Sequence, residues 1–206
     1  MGRPPKFSRE RLQAAALEIV DEEGLAALTM RSLAARLGTG PMTLYNHVEH
    51  RADLDLLVVD AVTASVRLPE PSDDWRVDVE GIACALWQAA RAHPQAIPLI
   101  LTRRSRSAAV LDVSEALACA LARGGRTGAD LLVAFRAVIG MVGGFAQAEL
   151  TSPLAVEPAG DVIERIQAEG SRYPCLAGIA ESARGSEPEA EFLGALRALL
   201  AGLNAA

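Results

Sequence analysis

Leu28-Thr29-Met30-Arg31-Ser32-Leu33-Ala34-Ala35-Arg36-Leu37-Gly38-Thr39-Gly40-Pro41-Met42-Thr43-Leu44-Tyr45-Asn46-His47-Val48 holds two short helices and the turn between them. Thr29 is a natural N-cap, and Leu33 and Leu37 fall on one side of the helix that follows. Gly38 stops that helix, Thr39-Gly40 turns the chain, and Pro41 opens the next one where proline is tolerated. The second helix, over 42–48, has a holding side of Leu44 and Val48. Its other side carries Thr39, Met42, Thr43, Asn46 and His47. These are helix-turn-helix proportions. Thr and Asn hydrogen-bond base edges, and Thr and Met methyls meet the thymine methyl. Tyr45 and Arg51 suit phosphates, as do Thr29 and Arg31 at the front of the first helix. With Gly40 in the turn, these residues are the candidate DNA contacts. Spacing alone fits a plain αα-hairpin equally well, its polar face turned to water.

Outward from this stretch, the chain reads as helix after helix. The apolar stripe Leu12, Ala15, Ala16, Ile19 and Val20 predicts a first helix capped by Ser8 and stopped at Gly24. A fourth helix spans about Arg51 to Val66, before the Pro-rich linker Leu68-Pro69-Glu70-Pro71-Ser72. Further helices are predicted at about 73–92, 95–103, 107–123, 128–150, 160–169, 174–184 and 189–203. Aromatics make up only 4% of the 206 residues, and no stretch alternates with a period of two, so the fold class is all-α.

Hydrophobic residues at 50% and charged residues at 22% exclude a disordered chain. No run of about 18 consecutive apolar residues predicts a membrane span, and the N-terminus lacks a signal-peptide core, so a cytoplasmic protein is expected. Cys84, Cys119 and Cys175 stand far apart, which excludes zinc-ribbon and thioredoxin-type motifs. The only histidines are His47, His50 and His93, and no metal site or cofactor is expected from them. Patterns of the GxSxG, HExxH, P-loop and Rossmann kinds are absent, so no enzyme is expected.

The net charge of −6 conceals an uneven distribution. Residues 1–51 carry seven Arg and Lys against six acids, whereas the remainder is strongly acidic. A global acidic balance leaves room for a local basic footprint. The arm Gly2-Arg3-Pro4-Pro5-Lys6 resembles the core of minor-groove AT-hook peptides, which places Arg3 and Lys6 among the DNA contacts. A basic tail adding nonspecific attraction is the alternative.

The stretch 28–48 resembles the helix-turn-helix signature of the tetracycline-repressor (TetR/AcrR) family. The likeness begins at Ala14-Ala15-Ala16-Leu17-Glu18-Ile19-Val20 and Gly24, and it runs on through Arg51-Ala52-Asp53-Leu54, about a quarter of the chain. Arg51 stands where the family commonly has lysine, and Glu49 where several relatives are basic or neutral. A looser likeness covers Ala92-His93-Pro94, the segment 128–150 with Gly140, Gly143, Gly144 and Phe145, and Tyr173-Pro174-Cys175-Leu176-Ala177.

The resemblance implies a DNA-binding head over residues 1–50 and a larger helical effector-binding and dimerisation domain over 51–206. It implies a homodimer on a near-palindromic double-stranded operator, with half-sites roughly 34–36 Å apart or somewhat more. It also implies a repressor released by a small-molecule effector, with the fourth helix carrying the motion. Helices 128–150 and 189–203 would pair between subunits. Gly140, Gly144, Phe192, Leu196, Leu199 and Leu203 are the interface candidates. Pocket candidates are Trp87, Leu99, Ile100, Phe135, Ile139, Val142, Phe145 and Glu149. Leu99 stands near the place of the histidine that holds ligand-bound magnesium in tetracycline repressors, so a tetracycline–magnesium inducer is not expected.

Overall fold

The computed structural model describes residues 7–103, 105–151, 164–166, 168–169 and 172–203, with backbone alone at 149–151. Arg3, Lys6, most of the helix expected over 160–169 and the Glu149 side chain lie outside the described residues. The described elements are helical, as the absence of period-two patterning predicts.

Helix α1, Arg9–Glu23, is capped by the Ser8 hydroxyl, which accepts from the Arg11 amide, and it buries the expected stripe from Leu12 to Val20. It ends at Gly24, whose φ of 85° suits a residue without a Cβ. Helix α2, Met30–Arg36, opens with a capping box between Thr29 and Ser32. The Ser32 amide donates to the Thr29 hydroxyl at 3.0 Å, and the Thr29 amide to the Ser32 hydroxyl at 2.8 Å. Two backbone bonds close α2: the Gly38 amide to the Ala35 carbonyl (3.0 Å) and the Thr39 amide to the Ala34 carbonyl (2.9 Å). This Schellman arrangement needs the left-handed φ of 63° at Gly38.

Helix α3, Pro41–Leu44, is a single turn, shorter than the 42–48 expected. The chain continues in a turn in which the Val48 amide still reaches the Leu44 carbonyl at 2.9 Å. Helix α4, Arg51–Ser65, starts on an acidic cap: Asp53 Oδ2 accepts from the amides of Glu49 (2.9 Å) and His50 (2.8 Å). Those two bonds hold the Asp53 carboxyl below its usual range. Beyond the linker come α5 (Trp75–Ala92), a 3-10 turn at Pro94–Ala96, α6 (Ile97–Thr102) and α7 (Ala108–Arg123). Then follow α8 (Gly128–Thr151), α9 (Pro174–Ala183) and α10 (Pro188–Gly202).

The chain divides by compactness into Met1–Phe135 and Arg136–Ala206. In the first unit a single apolar core joins Phe7, the α1 stripe, Leu33, Leu44, Val48, the inner face of α4 and Leu99. The predicted DNA head therefore shares its core with α4 and α6. In the second unit Phe192 and Leu196 of α10 are fully buried, and the Phe192 ring meets Phe145 of α8 edge-on at 5.4 Å.

Helix α8 is long and apolar enough, by length and composition, to cross a bilayer. The criterion of an unbroken apolar run misses it because Asp130, Arg136 and Gln147 divide the helix into shorter apolar stretches. Its buried positions, Ala134, Val138, Val142 and Ala146, recur every four residues as on a helix with one packed face. Leu132, Val133 and Ile139 are exposed.

Asp78 of α5 is buried at the junction with α7 and the linker. Burial pushes its carboxyl up, but the Arg123 guanidinium and the hydroxyl and amide of Ser72 outweigh that, and it titrates below the usual range. The stabilisation is therefore complete above the unfolded carboxyl pKa of about 3.9 and is lost as pH falls through the lower folded value. Asp78→Asn should flatten the acid limb of a stability–pH profile taken by urea unfolding between about pH 5 and pH 2. An unchanged limb would show that the Asp78 pair carries no pH-dependent stability.

Candidate nucleic-acid interface

Leu44 and Val48 are buried to 0% and 1% exposure and fix the α3 turn to the core. On the other side Met42 is 78% and Tyr45 48% exposed. Asn46 and Gly40 are exposed too, and Thr39, Thr43 and His47 are half-buried. Of the groups the sequence assigns to an outward surface, Gly40, Met42, Tyr45 and Asn46 are the exposed ones. Arg31 is exposed on α2, while the Thr29 hydroxyl is engaged in the capping box.

Charge around this surface is internally arranged. Arg36 of α2 pairs with Glu22 (2.7 Å), Glu23 (3.2 Å) and Glu18 (3.4 Å) of α1, which draws the head's acidic group onto its own helix pair. The Glu22 contact, followed by Glu18, raises the Arg36 pKa.

Arg51 occupies a different setting from the phosphate-facing one its charge suggests. Its Nη1 donates to the Leu28 carbonyl and its Nη2 to the Leu25 carbonyl at 3.2 Å. Its Nε lies 3.3 Å from Asp55 Oδ1, an ion pair without aligned hydrogen-bond geometry. A guanidinium has five N–H donors, and here they tie the start of α4 to the strand of chain that leads into α2.

Sequence reasoning overlooked three buried acids: Asp55, Asp60 and Asp78. Arg103 donates to Asp55 Oδ2 from Nε (3.0 Å), with Nη2 at 2.9 Å. Asp60 accepts from Arg9 (2.8 Å), Gln13 (3.4 Å) and the Ser105 hydroxyl. The available signal was an aspartate at both ends of the run Leu56-Leu57-Val58-Val59. Buried carboxylates require such partners.

The effector and interface candidates differ in burial. Leu99 and Ile100 pack in the core shared with α1 and α4. Trp87 is buried beneath the Arg91 guanidinium, 4.6 Å from the ring centroid. Val142 is buried, Phe135 and Phe145 are half-buried, and Ile139 is exposed. Phe192 and Leu196 face inward, whereas Leu199 and Leu203 are half-buried and Gly140 and Gly144 are exposed. A cleft of about 420 Å³ between the linker, α5 and α7 is lined by Leu68, Pro69, Ile82, Cys119 and Arg123, none of them a predicted pocket residue.

A chain whose described elements are helical, with this turn on a buried support, has the architecture of a helix-turn-helix protein. Residues 12–54 match the profile of bacterial regulatory proteins of the tetR family, and residues 68–206 match the tetracyclin repressor-like C-terminal domain. An HTH-type transcriptional regulator of Saccharopolyspora erythraea is 34% identical over 98% of this chain and 86% of its own length. The HTH-type transcriptional repressor DrrR1 of Streptomyces coeruleorubidus is 30% identical over 98% of this chain and 79% of its own. Apo ActR from Streptomyces coelicolor superposes with a TM-score of 0.83 at 26% identity, over 99% of this chain and 97% of ActR. ActR has also been solved in complex with actinorhodin. The chain belongs to the TetR family of DNA-binding transcriptional regulators.

Proposed function

We propose that this regulator is a cytoplasmic homodimeric repressor, without catalytic activity, that a small-molecule effector releases from a near-palindromic operator. The observation that carries the reading is the α3 turn: Leu44 and Val48 are sealed in the core while Met42, Tyr45 and Asn46 are exposed. Residues 1–50 act as the DNA head, with Arg3 and Lys6 on the minor groove, and residues 51–206 receive effector and dimerise. The apolar exposure of Leu132, Val133 and Ile139, beside Gly140 and Gly144, supports α8 as a subunit contact. The actinorhodin complex of ActR and the repressor DrrR1 support effector control and repression.

Effector release requires unequal affinity for the two conformations, and DNA must then weaken effector binding by the same factor. Selection of duplexes from a random pool, followed by titration at two salt concentrations, tests the DNA reading. A near-palindrome with steep salt dependence is expected. Asn46→Ala or Thr43→Ala should change the bases enriched, each lost base contact weakening discrimination by about 1–3 kcal/mol. Tyr45→Ala should weaken all sequences alike. The same enriched sequence from wild type and Asn46→Ala would remove Asn46 from the base contacts.

A further inference from the structure

We propose that the cleft beneath the linker is a binding site for a small, uncharged, largely apolar molecule, separate from the pocket candidates on α5, α6 and α8. Its walls come from three pieces of the first compact unit: the linker, α5 and α7. Ile82 and Ala120 form its floor, at 3% and 1% exposure. On its rim Leu68 stays 39% exposed, and Cys119 is exposed as well. An apolar rim over a buried apolar floor gains when a ligand takes the place of water there.

The linker is fixed at two points along this space. Pro69 sits directly on the α5 backbone at Gly81, where a Cβ would lie 2.9 Å from Pro69 Cγ. Three residues on, the Ser72 amide donates to Asp78 Oδ1 at 2.8 Å, and Arg123 Nη1 donates to the Ser72 carbonyl at 2.7 Å. Arg123 Nη2 donates to the other Asp78 oxygen. The cleft is therefore shaped by its own walls before anything enters it, as small-molecule sites usually are. The same contacts decide the class of ligand. Asp78 and Arg123 both line the cleft and neutralise each other, so it offers no net charge to an ion. Cys119 Sγ donates to Glu115 Oε1 at 3.3 Å, and that contact, followed by burial, pushes the thiol up and keeps it uncharged at neutral pH. The volume of about 420 Å³ lies within the range of small-molecule sites.

The site stands whether or not residues 29–51 bind DNA, and the experiment uses the full chain without duplex. N-phenyl-1-naphthylamine, an uncharged probe whose fluorescence rises in apolar surroundings, should bind saturably. Ala116→Phe, which fills the cleft from the α7 wall, should weaken that binding about tenfold or more, the worth of one buried side chain. Leu68→Ala on the exposed rim should weaken it several-fold with little effect on folding, and it decides the matter if Ala116→Phe lowers the urea midpoint. Leu111→Ala, exposed on α7 outside the cleft, should leave it unchanged. Bound probe should also slow alkylation of Cys119 by N-ethylmaleimide, read peptide by peptide, while the exposed Cys175 of α9 reacts as before. The absence of saturable binding overturns the site. So does binding that Ala116→Phe and Leu68→Ala both retain at full strength, or alkylation of Cys119 that the probe leaves unchanged. Tighter binding of the anionic 8-anilinonaphthalene-1-sulfonate at Cys119 overturns the assignment to an uncharged ligand.

Discussion

Leu44→Ala is expected to destabilise the protein by about 2–5 kcal/mol and to abolish operator binding. Leu44 is 0% exposed and belongs to the core that unites α1, α2 and α4. Helix α3 is only four residues long, and a single turn does not hold its own shape in water. Its geometry comes from the two side chains that enter the core, so truncating one leaves a cavity and frees the turn. Urea unfolding and duplex titration on the same sample measure both effects. Met42→Ala, one turn face away and 78% exposed, should stay within about 0.5 kcal/mol in stability. A loss below about 1 kcal/mol in Leu44→Ala would mean that the core collapses around the gap and that Val48 alone supports the turn.

Phe192→Ala should cost a further class of stability, about 3–5 kcal/mol, in the second compact unit. The side chain is fully buried and packs edge-on against Phe145, a geometry worth about 0.5–1.5 kcal/mol beyond its area. Chemical denaturation followed by far-UV circular dichroism measures it. Leu193→Ala, half-buried on the same helix, gives the comparison and should lose clearly less. Equal losses would mean that α10 is held by its whole surface rather than by the aromatic pair.

The parts of this fold that were legible in the sequence are those governed by local rules. The α1 stripe follows from a period, and the α2–α3 turn follows from what Gly38 and Pro41 do to a backbone. Their positions needed no knowledge of distant residues. The contacts of Arg51 were not legible for the opposite reason. A basic residue beside a recognition turn suggests phosphate, but its carbonyl partners lie 23 and 26 residues away. Asp55, Asp60 and Asp78 find their cations 45 to 51 residues away, except for the local Arg51 pair, and no window of sequence displays such a match. The interface expectation on α10 met another limit. Phe192, Leu193, Leu196, Leu199 and Leu200 make a broad apolar surface, and composition alone does not say which part turns into the subunit's own core. Phe192, Leu196 and Leu200 do so.

The separation between the buried support of α3 and its outward surface bears on how such a protein changes over generations. Met42, Tyr45 and Asn46 are exposed, so replacing them disturbs folding little. Leu44 and Val48, interleaved with them, tolerate almost nothing. On the proposed reading of Asn46 as a base contact, a lineage carrying this head can change its target sequence at little cost to folding, while purifying selection on two side chains keeps the scaffold intact.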